Sequence, residues 1–227
     1  MTDLNDIHGV LNLDKPPGIT SAVVVARVKR LLGGRAKVGH AGTLDSFATG
    51  VLLILVGRAT KRCEELMGSP KQYETTIRLG AITPTLDPLS PPEMQNVSAP
   101  PSENEIIAVL SAQTGDVLQT PPLFSALKVD GRRASDRTRD GEALTLPPRP
   151  VRIDAIDLLE YVWPDLRVRI DCGRGTYVRS IARDVGQALG VGGYLTQLRR
   201  TRVGPFSAEH AVRLDNLTPA DVVARLV

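Results

Sequence analysis

The sequence predicts an α+β fold, a single domain with a mixed, largely antiparallel sheet flanked by helices and interrupted by one insertion. Alternating apolar and polar residues indicate strands, most clearly over 71–79 and 166–172. Apolar residues at helical spacing indicate helices over 21–32 and 176–189. Strands and helices follow one another without regular βαβ alternation, so a doubly wound parallel sheet is not expected.

Composition places the chain among soluble globular proteins. Its 227 residues are 42% hydrophobic and 23% charged, which is enough for one large domain with a real core. No apolar run approaches the ~18 residues that span a bilayer, and the polar start lacks a signal-peptide pattern. Cys63 and Cys172 are far apart and belong to no C-x-x-C motif. We therefore expect no membrane contact, no disulfide or metal framework, and a cytoplasmic location.

The first third of the chain contains the most unusual stretch. A strand over 10–13 ends at the turn residues 14–18, and Thr20 or Ser21 then caps a helix that stops at Gly33. Residues 39–50 combine three glycines, two threonines, a serine and Asp45, which predicts a shaped loop rather than a regular element. The elements predicted next are a strand over 51–56, a short helix over 59–67 and a strand over 71–79.

The remaining two thirds begin with a loop-like stretch over 80–101, which holds six of the 17 prolines. Ser102 then caps a helix whose buried face includes Ile106, Val109 and Leu110. The elements predicted after it are two extended pieces over 117–129, an exposed Arg-rich helix over 132–141, strands over 151–159 and 166–172, a helix over 176–189, a basic strand over 195–203 and a final helix over 221–226.

Charge is distributed unevenly along the chain. Residues 1–72 hold ten basic and six acidic side chains, 73–118 hold one and six, and 119–227 hold 17 and 13. Basic clusters are often only solvated faces, but RNA would use them for salt-sensitive backbone contacts. The three basic clusters are Arg27, Lys29, Arg30, Arg35 and Lys37; Arg132, Arg133, Arg137 and Arg139; and Arg199, Arg200 and Arg202.

Asp45 is the candidate reactive group. A short acid in such a loop often only caps a turn. It acts as a covalent nucleophile if a cation keeps it ionised, and Arg179, whose helix starts in a glycine turn, is the candidate counter-ion. Tyr73 and Tyr177 offer flat surfaces for a base. No second acid lies near Asp45 in sequence, so a paired-carboxylate hydrolase is not favoured.

The segment 38–52, which contains Asp45, resembles the signature of the bacterial tRNA pseudouridine-55 synthases. Five further segments resemble other motifs of that family, in the same order along the chain. They are residues 13–18, 71–80, 121–128, 172–179 and 198–200. Three positions depart from the family pattern: Phe124 stands where tyrosine is frequent, Pro84 where an acid is usual, and a typical tyrosine is missing near Ser135.

The resemblance implies an isomerase that converts uridine 55 in the T loop of tRNA to pseudouridine, without metal or organic cofactor. Asp45 would be the nucleophile that attacks the ribose C1′ or otherwise assists cleavage of the glycosidic bond. Arg179 would pair with Asp45 and keep it charged. Tyr73 would lie against the base and assist loss of the C5 proton, and Tyr177 would line the same pocket.

The resemblance also implies a set of substrate-binding residues. Leu198 would pack on the uracil, and His40 would occupy the space left when the uridine flips out of the stack. Gly42 would allow close approach to the backbone. Lys15 and Lys128 match motif lysines with RNA-binding or pocket-supporting roles.

The resemblance further implies a domain plan and a partner. A tail over 1–8 would precede a catalytic domain over 9–213, in which 80–115 forms an acidic, proline-rich insert with a helix. Residues 214–227 would form a short terminal helix, without the family's usual C-terminal RNA-binding domain. The expected partner is the T arm of tRNA, bound by a monomer.

Two other functions compete with this one. The first is an RNA chaperone that folds tRNA through the basic clusters without chemistry. The second is the RNA-guided branch of pseudouridine synthases, which shares the motifs but depends on a guide RNA and protein partners.

Overall fold

The computed structural model describes residues 7–215 and 217–227. These residues form two compact units. The first unit contains the described residues up to Glu74 together with Leu198–Val227, and the second unit is Thr75–Gln197. The expected tail over 1–8 lies outside the described residues except for Ile7, which is buried, and His8, which is exposed.

The helices and strands follow one another irregularly, as the sequence predicts. The helices are α1 Ser21–Leu31, α2 Cys63–Gly68, α3 Glu103–Ala112, α4 Ala134–Arg139, α5 Val178–Ala188 and α6 Pro219–Ala224. The strands are β1 Gly9–Lys15, β2 Val38–Ala41, β3 Thr49–Val56, β4 Lys71–Leu79, β5 Ala81–Ile82, β6 Glu93–Met94, β7 Gly115–Gln119, β8 Lys128–Val129, β9 Arg132–Arg133, β10 Arg149–Val162, β11 Asp165–Cys172, β12 Gly193–Val203, β13 Phe206–Ser207 and β14 Val212–Arg213. Short 3₁₀ turns cover Gly57–Arg62 and Ala208–His210.

The first unit is built around β3, whose residues after Thr49 are all buried. β3 pairs antiparallel with β1 and β2 and parallel with β12, and the strand order is β14-β1-β3-β12-β4. Val24 and Val28 on one face of α1 pack into a core formed with one face of β1 and β3, which contributes Leu11, Leu13, Leu52, Ile54 and Val56. Each such buried aliphatic side chain contributes roughly 1.5–3 kcal/mol by leaving water.

α1 has the bounds that its sequence signals predict. The Thr20 hydroxyl accepts a hydrogen bond from the amide of Val23 (3.3 Å), which satisfies one of the free amides at the helix start. Gly33 and Gly34 follow the last turn with φ of +72° and +80°, a conformation that favours glycine and ends the helix.

The second unit contains β11, β10 and β7, which are neighbours in that order and pair antiparallel. α3 begins with a capping box between Ser102 and Glu105 and buries Ile106 and Leu110. α5 is strongly amphipathic and buries one complete face, including Ile181 and Val185. The predicted fold class is therefore confirmed: α+β with a mixed, mostly antiparallel sheet and flanking helices.

Several predicted boundaries were wrong. The predicted loop over 39–50 is shorter, because residues up to Ala41 belong to β2 and residues from Thr49 belong to β3. The predicted helix over 59–67 is a 3₁₀ turn followed by α2. The last helix begins at Pro219 rather than near 221, because Thr218 and Asp221 form a capping box there.

Within the described ranges, no helix has the length and apolar character needed to cross a membrane.

Candidate active site

Asp45 lies in the connection between two paired strands. β2 and β3 pair antiparallel, with His40 opposite Ile54 and Ala41 opposite Leu53, and residues 42–48 join them. We call residues 42–48 the Asp45 loop. The amide of Ala48 donates to the carbonyl of Asp45 (3.2 Å), which closes a turn, and Asp45 itself is half-buried. The turn role expected of a short acid and a reactive role are therefore compatible at this residue.

Both residues beside Asp45 are held by the chain segment that precedes and starts α1. The Ser21 hydroxyl accepts from the Leu44 amide (2.9 Å) and donates to the Leu44 carbonyl (3.1 Å). The Ser46 carbonyl accepts from the Gly18 amide (2.8 Å) and from the Lys15 ammonium (3.1 Å). The main chain is thus held on each side of Asp45, which limits the positions that its carboxylate can reach.

Lys15 is fully buried at the end of β1. Its ammonium donates to the carbonyls of Pro16 (2.8 Å), Ile19 (2.8 Å) and Ser46 (3.1 Å). Burial lowers the pKa of Lys15 to about 8, against the opposing charge of Asp45, which raises it. Of the two roles predicted for Lys15, RNA binding or pocket support, this geometry favours support of the Asp45 loop.

Arg200 joins the start of the same loop to β3. It lies on β12, is only 2% exposed, and donates from Nε to the Val51 carbonyl (2.7 Å) and from Nη2 to the Gly42 carbonyl (3.1 Å). Nη1 also reaches the Thr43 carbonyl at 3.5 Å. The interpretation of Arg200 as part of an RNA-binding basic cluster was wrong, because its guanidinium is buried and directed at protein carbonyls.

Gly50 is the position that brings β12 and β3 together at this point. Gly50 lies opposite Arg200 in the parallel pairing, with φ of +102°. A β-carbon at Gly50 would stand 2.2 Å from the carbonyl oxygen of Arg200. Only glycine fits this close approach of two main chains without a shift.

His40 and Gly42 lie at the start of the Asp45 loop. Burial, and then the positive charge of Arg200, lower the pKa of His40, so its imidazole is neutral at pH 7. Among the described residues, the buried Nδ1 atom of His40 has no hydrogen-bond partner. Gly42 has φ of +91° and lies under the Arg200 guanidinium. A neutral ring is suited to stacking against bases.

Tyr73 and Leu198 occupy neighbouring strands of the first unit. Tyr73 on β4 is 8% exposed and Leu198 on β12 is 7% exposed. The Thr201 hydroxyl donates to the main-chain and side-chain oxygens of Gln72 (3.2 and 3.0 Å), which fixes β12 against β4 near both side chains. The first unit therefore contains Lys15, His40, Gly42, Asp45, Tyr73 and Leu198 of the predicted site.

The second unit contains the other predicted residues, and Arg179 is the most constrained of them. Arg179 lies in the first turn of α5 and is 4% exposed. Its guanidinium donates to the carbonyls of Thr85 (3.0 Å) and Phe124 (2.9 Å) and lies 3.5 Å from an oxygen of Asp87. Arg179 is thus tied to two loops of its own unit, and its pairing with Asp45 stays a prediction.

Asp87 was missed by the sequence analysis. It is 3% exposed, and one carboxylate oxygen accepts from the Thr85 hydroxyl (2.6 Å) and the Leu89 amide (3.1 Å), while the other faces Arg179. The spacing of Thr85 and Asp87, two residues apart, could have indicated Asp87, because short polar side chains at such a spacing often fix a turn. Pro84, noted as a departure from the family pattern, belongs to the same turn.

Tyr177 precedes α5 and is positioned through its main chain. The amide of Tyr177 donates to the Gln119 side-chain oxygen (2.8 Å), and the Gln119 amide group donates back to the Tyr177 carbonyl (3.2 Å). The Arg149 guanidinium carbon lies 5.0 Å from the centre of the Tyr177 ring, a cation–π contact that orients the ring. Lys128 lies exposed on β8, which pairs with β9.

Two family models match the chain along most of its length. Residues 29–178 match the N-terminal domain of the TruB family pseudouridylate synthases. Residues 179–225 match the C-terminal domain described for tRNA pseudouridylate synthase B. The chain belongs to the TruB family.

Curated TruB relatives resemble the chain over nearly its whole length. A Corynebacterium efficiens protein named tRNA pseudouridine synthase B is 45% identical over 96% of this chain and 74% of its own length. A Gluconacetobacter diazotrophicus protein of the same name is 45% identical over 95% of this chain and 70% of its own length. The resemblance inferred from the six sequence motifs is thereby confirmed.

Solved structures agree with this TruB assignment. One is a Cbf5-Nop10-Gar1 complex, with a TM-score of 0.72 and 34% identity over 92% of this chain. Another is an H/ACA RNP bound to a substrate RNA containing 2′-deoxyuridine, with a TM-score of 0.68 and 32% identity over 92% of this chain. The chain spans about half the length of those two matched chains, 53% and 52%.

No group of His, Cys, Asp and Glu side chains within the described ranges is arranged to hold a metal ion. In the first unit, the half-buried Asp45 lies in a loop whose carbonyls accept hydrogen bonds from the buried cations of Lys15 and Arg200.

Proposed function

We propose that this TruB-family chain converts uridine 55 in the T loop of tRNA to pseudouridine, with Asp45 as the nucleophile. The curated relatives at about 45% identity are named tRNA pseudouridine synthase B, which supports tRNA as the substrate. The observation that carries the proposal is the fixation of Leu44 and Ser46 on the two sides of Asp45. A nucleophile held in one position avoids much of the entropic cost of reaching its target.

The proposed reaction rearranges one glycosidic bond. The Asp45 carboxylate attacks the ribose C1′, and the C1′–N1 bond breaks with its electron pair leaving on the uracil. The uracil turns within the pocket, its C5 attacks C1′, and the Asp45 carboxylate departs. C5 then loses its proton with assistance from Tyr73, and N1 acquires one, so that the product is an isomer of the substrate.

The remaining predicted residues hold the substrate and the nucleophile. Arg179 keeps Asp45 ionised, because a nearby positive charge favours the carboxylate form. The neutral His40 ring fills the space that the flipped uridine leaves in the stacked loop. Leu198 and Tyr177 pack against the uracil, while the groups that contact RNA or support the pocket are Lys15, Lys128 and Gly42. We expect the protein to be cytoplasmic and monomeric. Light scattering measures the mass of the protein in solution and so tests the monomer.

Release of tritium from C5-labelled uridine in an unmodified tRNA transcript tests the proposal. We expect release by the wild type, none by Asp45→Asn, and tRNA binding by both. Asp116→Asn is the matched control, because Asp116 is 83% exposed and, among the described residues, its side chain makes one ion pair, at 3.4 Å with Arg152. Replacing the T-loop uridine in the transcript should abolish release. Tight binding without release by the wild type would instead favour an RNA chaperone.

Arg179→Ala tests the proposed counter-ion. We expect severely reduced turnover with retained tRNA binding, since removal of a neighbouring cation disfavours the ionised form of a partly buried carboxylate. Near-normal turnover by Arg179→Ala would refute the assignment of Arg179.

An RNA-guided enzyme is the second candidate, because the chain resembles proteins of the Cbf5 and H/ACA complexes at 32–34% identity. The higher identity to the relatives named tRNA pseudouridine synthase B, about 45%, favours the first proposal. Tritium release from the transcript by purified protein, with no other RNA or protein present, would decide against guidance.

A further inference from the structure

Five exposed basic side chains lie on α1 and on the segment that follows it. They are Arg27, Lys29, Arg30, Arg35 and Lys37, and we call them the α1 basic surface. Residues 21–41 contain no Asp or Glu at all. All five side chains are exposed, and among the residues that the structure describes none of them makes a hydrogen bond or an ion pair.

The other two basic clusters are largely neutralised by the protein itself. Arg199 forms a two-pronged ion pair with Asp14 (2.9 and 3.1 Å), and Arg200 is buried. Arg137 pairs with Glu142 at 2.6 Å. The remaining ion pairs of the second cluster join Arg132 to Asp140 and Glu142, Arg137 to Asp130, and Arg139 to Asp136. The α1 basic surface differs from both in having no such acidic partners.

Helix electrostatics explains only part of this surface. Lys29 and Arg30 lie in the last turn of α1, where cations stabilise the helix dipole. Arg35 and Lys37 lie beyond the helix, and Arg27 lies one turn before Arg30, where like charges repel. The protein therefore carries unrelieved positive charge here, which favours binding to a polyanion.

The chemistry of the surface favours nucleic acid over a protein or a membrane. Protein interfaces usually have aromatic anchors in a buried centre, and residues 21–41 contain no Trp, Tyr or Phe. A helix that lies in a membrane interface needs a broad apolar face, whereas Val24 and Val28 of α1 are buried in the protein core. Phosphate groups, in contrast, need only cations that are exposed and uncommitted.

We propose that the α1 basic surface binds the phosphodiester backbone of tRNA, outside the pocket that receives the uridine. This rests on the proposed function for the identity of the RNA. Phosphate contacts set the affinity and the position of the RNA and depend strongly on salt. They therefore change binding rather than the chemical step.

The test compares two triple variants with the same loss of charge. The first replaces Arg27, Lys29 and Arg30 with Gln, which preserves helix propensity. The control replaces three exposed arginines that already have acidic partners, Arg62 with Glu65, Arg152 with Asp154 and Arg167 with Glu160. Circular dichroism checks the fold of both. Filter binding of an unmodified tRNA transcript at several salt concentrations gives Kd and its salt dependence, and tritium release gives kcat and KM.

We expect the α1 variant to raise Kd by about tenfold or more at 0.1 M salt. The magnitude of the slope of the log association constant against log salt concentration should fall by about 2–3. KM should rise with Kd, and kcat should be unchanged. The control variant should change Kd by no more than about threefold, because its arginines are already compensated.

Three outcomes would overturn the inference: an unchanged Kd in the α1 variant, equal losses in both triple variants, or a fall in kcat at constant KM. Competition by polyglutamate that depends on the α1 surface, with tRNA affinity unaffected, would assign the surface to an acidic protein and also overturn it. The proposed function has a different test: it is wrong if the wild type binds tRNA without isomerising it. In that case the comparison of Kd between the two triple variants still decides the role of the α1 basic surface.

Discussion

Gly50→Ala should destabilise the protein more than any ordinary glycine replacement. Two independent causes act at this position. Its φ of +102° is a conformation that side chains disfavour, and the added β-carbon would meet the Arg200 carbonyl oxygen at 2.2 Å. Because that oxygen belongs to a paired strand, it cannot rotate away as a side chain would.

The magnitude follows from separating these two causes. A non-glycine residue at positive φ costs about 1–2 kcal/mol, and overpacking in a rigid region costs about 1–3 kcal/mol. We therefore expect Gly50→Ala to lower the free energy of unfolding by about 2–5 kcal/mol. For a chain of this size, each kcal/mol lowers Tm by roughly 2–4 °C.

Three other glycines serve as matched controls. Gly18 has φ of +81° with open space around it, so Gly18→Ala measures the conformational cost alone. Gly186 lies within α5, where a β-carbon would stand 2.3 Å from the main chain of Gly192 and Gly193, so Gly186→Ala measures crowding offset by a helix-propensity gain of up to about 1 kcal/mol. Gly68→Ala, with neither feature, should be neutral or stabilise by up to about 1 kcal/mol.

Urea denaturation of the four variants gives the free energies of unfolding, and tritium release gives turnover below the transition. Gly50→Ala should show the largest loss of stability, and lower turnover where it is still folded, because a shifted Arg200 releases the Asp45 loop. A loss for Gly50→Ala no larger than that for Gly18→Ala would refute the argument from close approach.

Three further predictions concern buried charges. Arg200→Lys keeps the charge but cannot reach the Val51 and Gly42 carbonyls together, so kcat should fall at least tenfold with KM little changed; equal turnover would contradict a positioning role. Because burial lowers the pKa of Lys15 to about 8, the folded protein binds fewer protons than the unfolded chain between that pH and the ordinary lysine pKa. Stability relative to Lys15→Met should therefore rise with pH, by roughly 2 kcal/mol between about pH 7.5 and 9.5, and a difference in urea midpoints that is constant with pH would exclude this. Asp87→Asn leaves Arg179 without its acidic neighbour inside the second unit, so the free energy of unfolding should fall by about 3 kcal/mol or more and kcat should also fall. Unchanged Tm and unchanged tritium release would contradict this prediction.

Features set by neighbouring residues were predictable from the sequence. The ends of α1 predicted from Thr20 and Gly33 were correct, because a cap and a left-handed glycine act within one turn of the helix end. β4 was predicted with its observed limits, since alternation over nine residues depends only on which face is buried. The Ser102 capping site was identified for the same local reason.

Features set by distant residues were not predictable in this way. Lysine is rarely buried, so the burial of Lys15 under three carbonyls had no local signal. Arg200 did have one, because the two-residue period of a strand places it on the same face as the buried Leu198. The prediction nevertheless placed Arg200 in an exposed basic cluster, because Arg199 and Arg202 lie close to it in the sequence. Asp87 gains its importance only from Arg179, which lies 92 residues away.

The double hydrogen bond between Ser21 and Leu44 has a consequence for motion. Because Ser21 is the first residue of α1, fraying of that helix turn removes one of the supports of the Asp45 loop. The loop and the start of α1 should therefore open together as one cooperative unit, with similar rates of amide hydrogen exchange at Leu44 and at Val24. In this respect the mobility of the Asp45 loop is governed by the stability of a helix end rather than by the loop's own glycine, Gly42.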